Sequence, residues 1–123
     1  MRIEQAAPVL LSSDLARTAS WYRGALGWEF AFFGEPPNFA IASRDGQRVM
    51  YALSRERIVP NWQVAENVWN VYIRVDDVDA CHAELVERGV ELDYGLCDQP
   101  WGMREFGVQD PDGHDIAFGQ PIA

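Results

Sequence analysis

The sequence lacks any run of eighteen apolar residues, which excludes a membrane-spanning helix. It has no glycine-rich phosphate loop and no nucleophile motif. Ser12 and Ser13 precede Asp14 where helix-capping residues belong, so capping is their expected role. Histidine is scarce. His82 falls inside a predicted helix and His114 follows an Asp-Gly turn, where solvent exposure is expected, and neither supplies a metal site. Cys81 and Cys97 have neither zinc-site spacing nor the look of a disulfide framework. Two free, mostly buried thiols are expected, and with them a cytoplasmic setting. Met1 to Gln5 carries Arg2 and Glu4 and leads into no apolar segment, so no secretory leader is expected. Positive charge is also short: ten Lys and Arg stand against nineteen Asp and Glu, a net charge of −9. That argues against a nucleic-acid partner, which needs a basic surface. It concentrates cations near the protein, although acidity also serves solubility.

The 123 residues are 48 % apolar and 24 % charged, the balance of one globular domain or of two small units sharing a core. Residues 7–12 read as a strand. From Asp14 to Leu26 the apolar residues Leu15, Ala19, Tyr22 and Leu26 recur at helical spacing, and Gly27 ends that helix. Residues 28–33, 39–43 and 48–53 read as strands, the last two joined by Asp45-Gly46, a strong hairpin signal. Residues 55–66 form a polar linker that carries Pro60 and Trp62. The order then returns. Residues 68–75 form a β-branched strand, and Asp76 and Asp77 cap a helix with Val78, Cys81, Leu85 and Val86 on one face. Gly89 ends it, a strand covers 90–94, and a loop covers 95–102. Residues 103–109 and 115–119 form strands around the turn Asp110-Pro111-Asp112-Gly113.

This is an internal repeat. Asp14-Leu15 aligns with Asp77-Val78 at an offset of 63, and Asp45-Gly46 with Asp112-Gly113 at an offset of 67. The second offset sets Val49 and Tyr51 on Ile116 and Phe118, and Phe39 and Ile41 on Phe106 and Val108. The predicted architecture is α+β, two tandem βαβββ modules: module one about 5–54, a linker about 55–66, module two about 67–120.

The motifs within that repeat carry a resemblance. Val9-Leu10-Leu11-Ser12-Ser13-Asp14-Leu15, then Trp21-Tyr22 and Leu26-Gly27-Trp28, resemble the opening of the glyoxalase/bleomycin-resistance/dioxygenase superfamily. Residues 72–80 resemble its second-module "VDDVDA" stretch. Trp101-Gly102-Met103-Arg104-Glu105-Phe106 with Asp110-Pro111-Asp112-Gly113 is similar to the closing signature of the bleomycin-resistance branch, a pattern that other relatives share. The resemblance covers nearly the whole chain. It implies two curved sheets forming an incomplete eight-stranded, barrel-like cleft, in a homodimer.

Alternation along the strands sorts residues by face. Val71, Ile73, Val75, Phe106, Val108, Ile116, Phe118, Val49, Tyr51, Phe39 and Ile41 are expected under the helices. Asn70, Tyr72, Arg74, Arg48, Met50, Met103, Glu105, Gly107, Asp115 and Ala117 are expected in the cleft. The resemblance implies metal ligands on the first and last strand of each module of the family's enzymes. Those positions hold Ala7, Met50, Asn70 and Ala117 here, a donor set unsuited to a divalent metal. No cofactor is therefore expected. Among the five tryptophans, Trp21 and Trp28 fit core patterns, Trp69 starts a strand, and Trp62 and Trp101 sit in loops. A loop tryptophan serves as a lid, an interface plug or a stacking platform, and the sequence leaves those three open. Glu105 and Asp98 suit a cationic ligand; alternatively Glu105 pairs with Arg74 or Arg48.

The bleomycin-resistance branch acts by sequestering a flat, cationic drug between subunits. The resemblance thus implies a metal-free binding protein, with Arg48, Met50, Trp62, Trp69, Asn70, Tyr72, Arg74, Trp101, Met103 and Glu105 at the ligand. In that branch a proline in the first strand helps an arm swap between subunits; Pro8 stands at a comparable place, where an edge-strand proline is the alternative. The competing reading is a metal-dependent lyase, isomerase or dioxygenase with atypical ligands.

Overall fold

Two aspartates start the two helices. Asp14 lies in extended backbone and its carboxylate accepts the Arg17 N–H at 3.1 Å; Asp77 does the same for Ala80 at 3.0 Å. Each satisfies one of the orphan donors of a first turn. In the computed structural model, which describes residues 1–123, these helices belong to two units, Met1–Ile58 and Val59–Ala123. The division falls inside the segment read as a linker.

The first unit holds β1 (Val9–Ser12), α1 (Leu15–Trp21), β2 (Glu29–Phe33), β3 (Phe39–Arg44) and β4 (Gln47–Leu53). Its four-stranded sheet has the order β1-β4-β3-β2, with β1 parallel to β4. The second unit repeats this with β5 (Val71–Arg74), α2 (Val78–Glu87), β6 (Tyr94–Asp98), β7 (Met103–Gln109) and β8 (Asp115–Pro121), in the order β5-β8-β7-β6. These are two open βαβββ modules, as the repeat predicts. No helix is long and apolar enough to cross a membrane.

Each unit buries its own core. In the first, Tyr22 and Tyr51 are fully buried and share a 2.9 Å hydroxyl–hydroxyl hydrogen bond among Leu26, Trp28 and Phe30. Trp21 meets Tyr22 edge-on but is only half-buried. In the second, Phe106 and Phe118 stack at 5.3 Å with Val78, Leu85, Val108 and Ile116 around them. The His82 ring meets Phe106 edge-on, also at 5.3 Å.

Several expected boundaries move. The first helix becomes a π-type turn over Tyr22–Leu26, closed by Gly27 at φ 72°. The wider turn brings Tyr22 and Leu26, four residues apart, to the same buried side. The strand expected over 68–75 begins at Val71, because the Trp69 carbonyl is taken by Asn61 Nδ2 at 3.0 Å. The strand expected over 90–94 lies instead at Tyr94–Asp98. The Val90 N–H is committed to the Leu85 carbonyl at the helix end, and a turn over Gln99–Gly102 sets 94–98 against β7.

Phe39 and Ile41 are only half-buried, while Ala40 and Ala42 are fully buried. The cause is turn length. Arg44 pairs with Gln47 across two residues, whereas Asp110 and His114 bond across three. The second hairpin therefore has one more turn residue. The offset is 67 after the turn and 66 before it, and a one-residue slip exchanges the faces. His114 is another correction: it is only 3 % exposed, because its N–H bonds Asp110 Oδ1 at 2.9 Å and folds the turn inward. Cys81 and Cys97 are half-buried and form no disulfide.

Candidate ligand-binding site

β5, β8 and β7 lie side by side, so Tyr72 and Glu105 come from strands separated by one neighbour. Glycine makes their meeting possible. Gly119 of β8 is paired with Glu105 and with Arg74, and the Tyr72 ring lies across it. A Cβ at 119 would overlap the Tyr72 hydroxyl end. Likewise Gly107 faces Tyr94 across the β6–β7 ladder, and a Cβ there would run into the Tyr94 ring. Two tyrosines thus lean inward over two glycines, toward one carboxylate.

That carboxylate is Glu105, and it is 0 % exposed. Oε1 accepts from the Tyr72 hydroxyl at 3.1 Å and the Trp101 indole N–H at 3.0 Å, and Oε2 accepts from the Tyr94 hydroxyl at 2.5 Å. The Trp69 indole N–H donates to the Tyr94 oxygen at 3.1 Å. Trp69 meets Tyr72 at 4.8 Å and Trp101 at 6.1 Å, steeply inclined to both. Trp62 is fixed by its own N–H on the Gly113 carbonyl at 2.7 Å. Burial must be offset by hydrogen bonds for an ion to persist, and three neutral donors supply them here.

A cavity of about 390 Å³ opens beside this cluster, lined by Trp62, Trp69, Tyr94, Trp101, Glu105 and Asp115 among others. Asp93 and Cys97 complete its acidic and sulfur lining. No cationic residue lines it, and the chain has no lysine at all. Burial, then the hydrogen bond and charge of Glu105, push the Tyr72 hydroxyl up to about 12. The same causes raise Tyr94 further, so both remain donors across the neutral range. Burial also raises the Cys97 thiol and the Asp115 carboxyl, the latter helped by the Asp93 charge.

The sequence-predicted residues separate into groups. Trp62, Trp69, Tyr72, Trp101 and Glu105 come together. Met103 sits half-buried at the start of β7, on the Glu105 face by alternation. Asn70 is turned to the loop, where its Oδ1 accepts the Asn61 N–H at 3.2 Å. Arg74 is exposed and reaches the cluster only through its field on Tyr72. Arg48 and Met50 belong to the other unit, where Arg48 donates to Gln5 Oε1 at 2.7 Å. The alternative of a Glu105 ion pair with Arg74 or Arg48 is therefore not what forms. Asp98 is not available to a ligand either: Arg104 holds it at 2.7 Å and keeps its carboxyl below the ordinary range. Tyr94 and Asp93 were missed, because the strand that carries Tyr94 was set four residues early. At the positions of the family's ligands, Ala117 is buried and no three His, Cys, Asp or Glu side chains converge.

Comparison with known proteins identifies the family. Residues 2–118 match the family model described as Glyoxalase/Bleomycin resistance protein/Dioxygenase superfamily. The bleomycin-binding protein of Streptomyces verticillus, solved with copper(II)-bleomycin, is 29 % identical with a TM-score of 0.74, covering 96 % of each chain. TnmS3, an antibiotic binding protein from Streptomyces sp. CB03234, is 26 % identical with a TM-score of 0.73, covering 98 % of each. A glyoxalase-related enzyme from Clostridium phytofermentans shares the fold at a TM-score of 0.80 and 17 % identity, covering 99 % of this chain and 98 % of that one. An uncharacterised protein of Mycobacterium tuberculosis is 38 % identical over 52 residues, 42 % of this chain; the match spans about a third of that relative's length, 31 %. The chain belongs to the glyoxalase/bleomycin resistance protein/dioxygenase superfamily.

Proposed function

We propose that this protein binds and sequesters a flat, cationic small molecule, without a metal and without chemistry on the ligand. The observation that carries the reading is Glu105: a buried carboxylate whose partners are all neutral, beneath aromatic side chains that border an open cavity. Neutral donors stabilise the charge without cancelling it. The site therefore presents negative potential and aromatic faces together, the combination that attracts aromatic cations. Asp93 and Asp115 add to that potential.

The antibiotic-binding relatives support a bleomycin-type antibiotic as the first candidate. Trp101, 50 % exposed with its N–H anchored on Glu105, offers a fixed stacking face. The reading includes a cytoplasmic homodimer. β1 is a sheet edge carrying exposed Val9 and Leu11, the kind of edge that association protects. Light scattering should give twice the 13.9 kDa chain mass.

The deciding experiment is a titration of tryptophan fluorescence with bleomycin, alongside elemental analysis of dialysed protein. Saturable quenching, weakened by Trp101→Ala, is expected, with well under one metal per chain. No quenching at millimolar bleomycin would remove the antibiotic, and a stoichiometric metal would favour an enzyme.

A further inference from the structure

Glu105 is fully buried and its carboxylate oxygens already accept from three donors, so a ligand in the cavity meets the surrounding rings first. A primary ammonium or a guanidinium must satisfy its own N–H donors on entering a cavity; of the carboxylates lining this one Glu105 is covered and Asp115 is bonded by Gln109, which leaves the exposed Asp93. A cation without N–H groups has no such requirement. It needs only diffuse negative potential and close apolar contact, which aromatic faces provide.

The hydrogen-bond directions here strengthen those faces. Trp101 points its N–H at Glu105 Oε1, Tyr94 points its O–H at Oε2, and Trp69 points its N–H at the Tyr94 oxygen. Each polar hydrogen is thereby aimed at, or relayed to, one negative charge, which polarises the ring behind it and enriches its π face. The Trp69 and Trp101 planes stand 72° apart, edge to face, with centroids 6.1 Å from each other, so the two rings present faces in different directions. No cationic side chain competes for the space.

The geometry points to an aromatic cage for a fully substituted onium group, such as a quaternary ammonium, in which Glu105 acts through the rings and not by contact. This rests on the ligand-binding reading above and names the chemistry of the ligand's cationic head. Glu105 is a positioning and polarising residue; Trp69, Tyr94 and Trp101 make the contact.

The test follows the tryptophan indole N–H signals by NMR during titration with choline, its neutral isostere 3,3-dimethylbutan-1-ol, and ethanolamine. Choline should bind about thirtyfold more tightly than the isostere, the ratio expected from one desolvated cation–π contact. Ethanolamine should bind more weakly than choline. Glu105→Gln should lower choline binding more than isostere binding and so bring the two affinities together. Should that variant fail to fold, Trp101→Phe keeps a ring but loses the carboxylate bond, and should lower choline binding more than isostere binding. Equal affinity for choline and the isostere, tighter ethanolamine, or no response to choline would each overturn the cage. Bleomycin titrated in parallel separates the two readings. Bleomycin binding without choline selectivity leaves sequestration standing and removes the cage. Choline selectivity without bleomycin binding keeps the cage and removes the antibiotic.

Discussion

Replacing Gly107 by alanine is the smallest change that should dismantle the site. The new Cβ would stand 3.1 Å from Tyr94 Cζ and closer still to two other ring carbons. The obstacle is a ring pinned at its far end by Glu105 and Trp69. Overpacking of this kind costs about 1–3 kcal/mol. If Tyr94 swings away, the buried carboxylate loses one of its three donors, and a hydrogen bond to a charged group contributes about 1.5–3 kcal/mol. Where both apply, the combined loss is about 2.5–6 kcal/mol. For a chain of this size that lowers Tm by roughly 10–20 °C. Urea denaturation followed by circular dichroism and fluorescence should show a lower midpoint with an unchanged slope. The specific test is a double-mutant cycle. In a Tyr94→Leu background the ring carbons that oppose the Cβ are gone, so Gly107→Ala should cost little, giving a coupling of at least ~1.5 kcal/mol. Equal cost in both backgrounds would refute the steric argument and place the role of Gly107 in its backbone.

Asp14→Ala and Asp77→Ala should each cost about 1 kcal/mol through the lost cap, with faster amide exchange in α1 and α2 respectively. The two tyrosines give the protein an alkaline limit. Folding raises Tyr72 from 10.0 to about 12 and raises Tyr94 as well, so the folded state holds protons that the unfolded state has released. Their stabilisation is complete below pH 10 and is lost as pH climbs toward 12. Tyrosinate absorbance should lose one late-titrating step in Tyr72→Phe, and the same variant should flatten the loss of stability above pH 10.

How much of this was legible in the sequence depended on what set each strand. Side chains of β5, β7 and β8 alternate by face, so Phe106 and Val108 went to the core and Tyr72 and Glu105 to one shared face, as observed. Period two suffices where both partners and a turn are recognisable. Tyr94 was not legible as a site residue, because the alternation over Val90–Tyr94 points to a strand there, whereas the observed strand takes its place and register from β7, a partner met later in the chain. Phe39 and Ile41 failed by one residue for the same class of reason: a single extra turn residue in one hairpin is invisible to an alignment anchored on Asp-Gly. The fate of Glu105 lay beyond pattern. Only coordinates reveal that its partners are three neutral donors instead of an arginine.

The corrected register also explains why the site sits in the second module. Tyr72, Tyr94, Glu105, Gly107 and Gly119 correspond in the ladders to Val9, Ala31, Phe39, Ile41 and Ala52. In the first module the large side chain is Ile41 on the inner strand, and its partner Ala31 is small. In the second the volumes are exchanged: Gly107 is inner and Tyr94 is its large partner. The exchange keeps the pair's bulk roughly constant, which a packed surface tolerates best. Its chemical effect is large. An isoleucine rooted on the inner strand ends in methyl groups. A tyrosine leaning in from the neighbouring strand across a glycine delivers a hydroxyl to the centre of the sheet face. That exchange, Tyr94 over Gly107, together with Tyr72 over Gly119 where the first module has Val9 and Ala52, brings two O–H donors to one point. A glutamate can then occupy, fully buried, the position that the first module fills with Phe39. The glycines are thus the precondition for the charge, and the charge is what distinguishes the two modules.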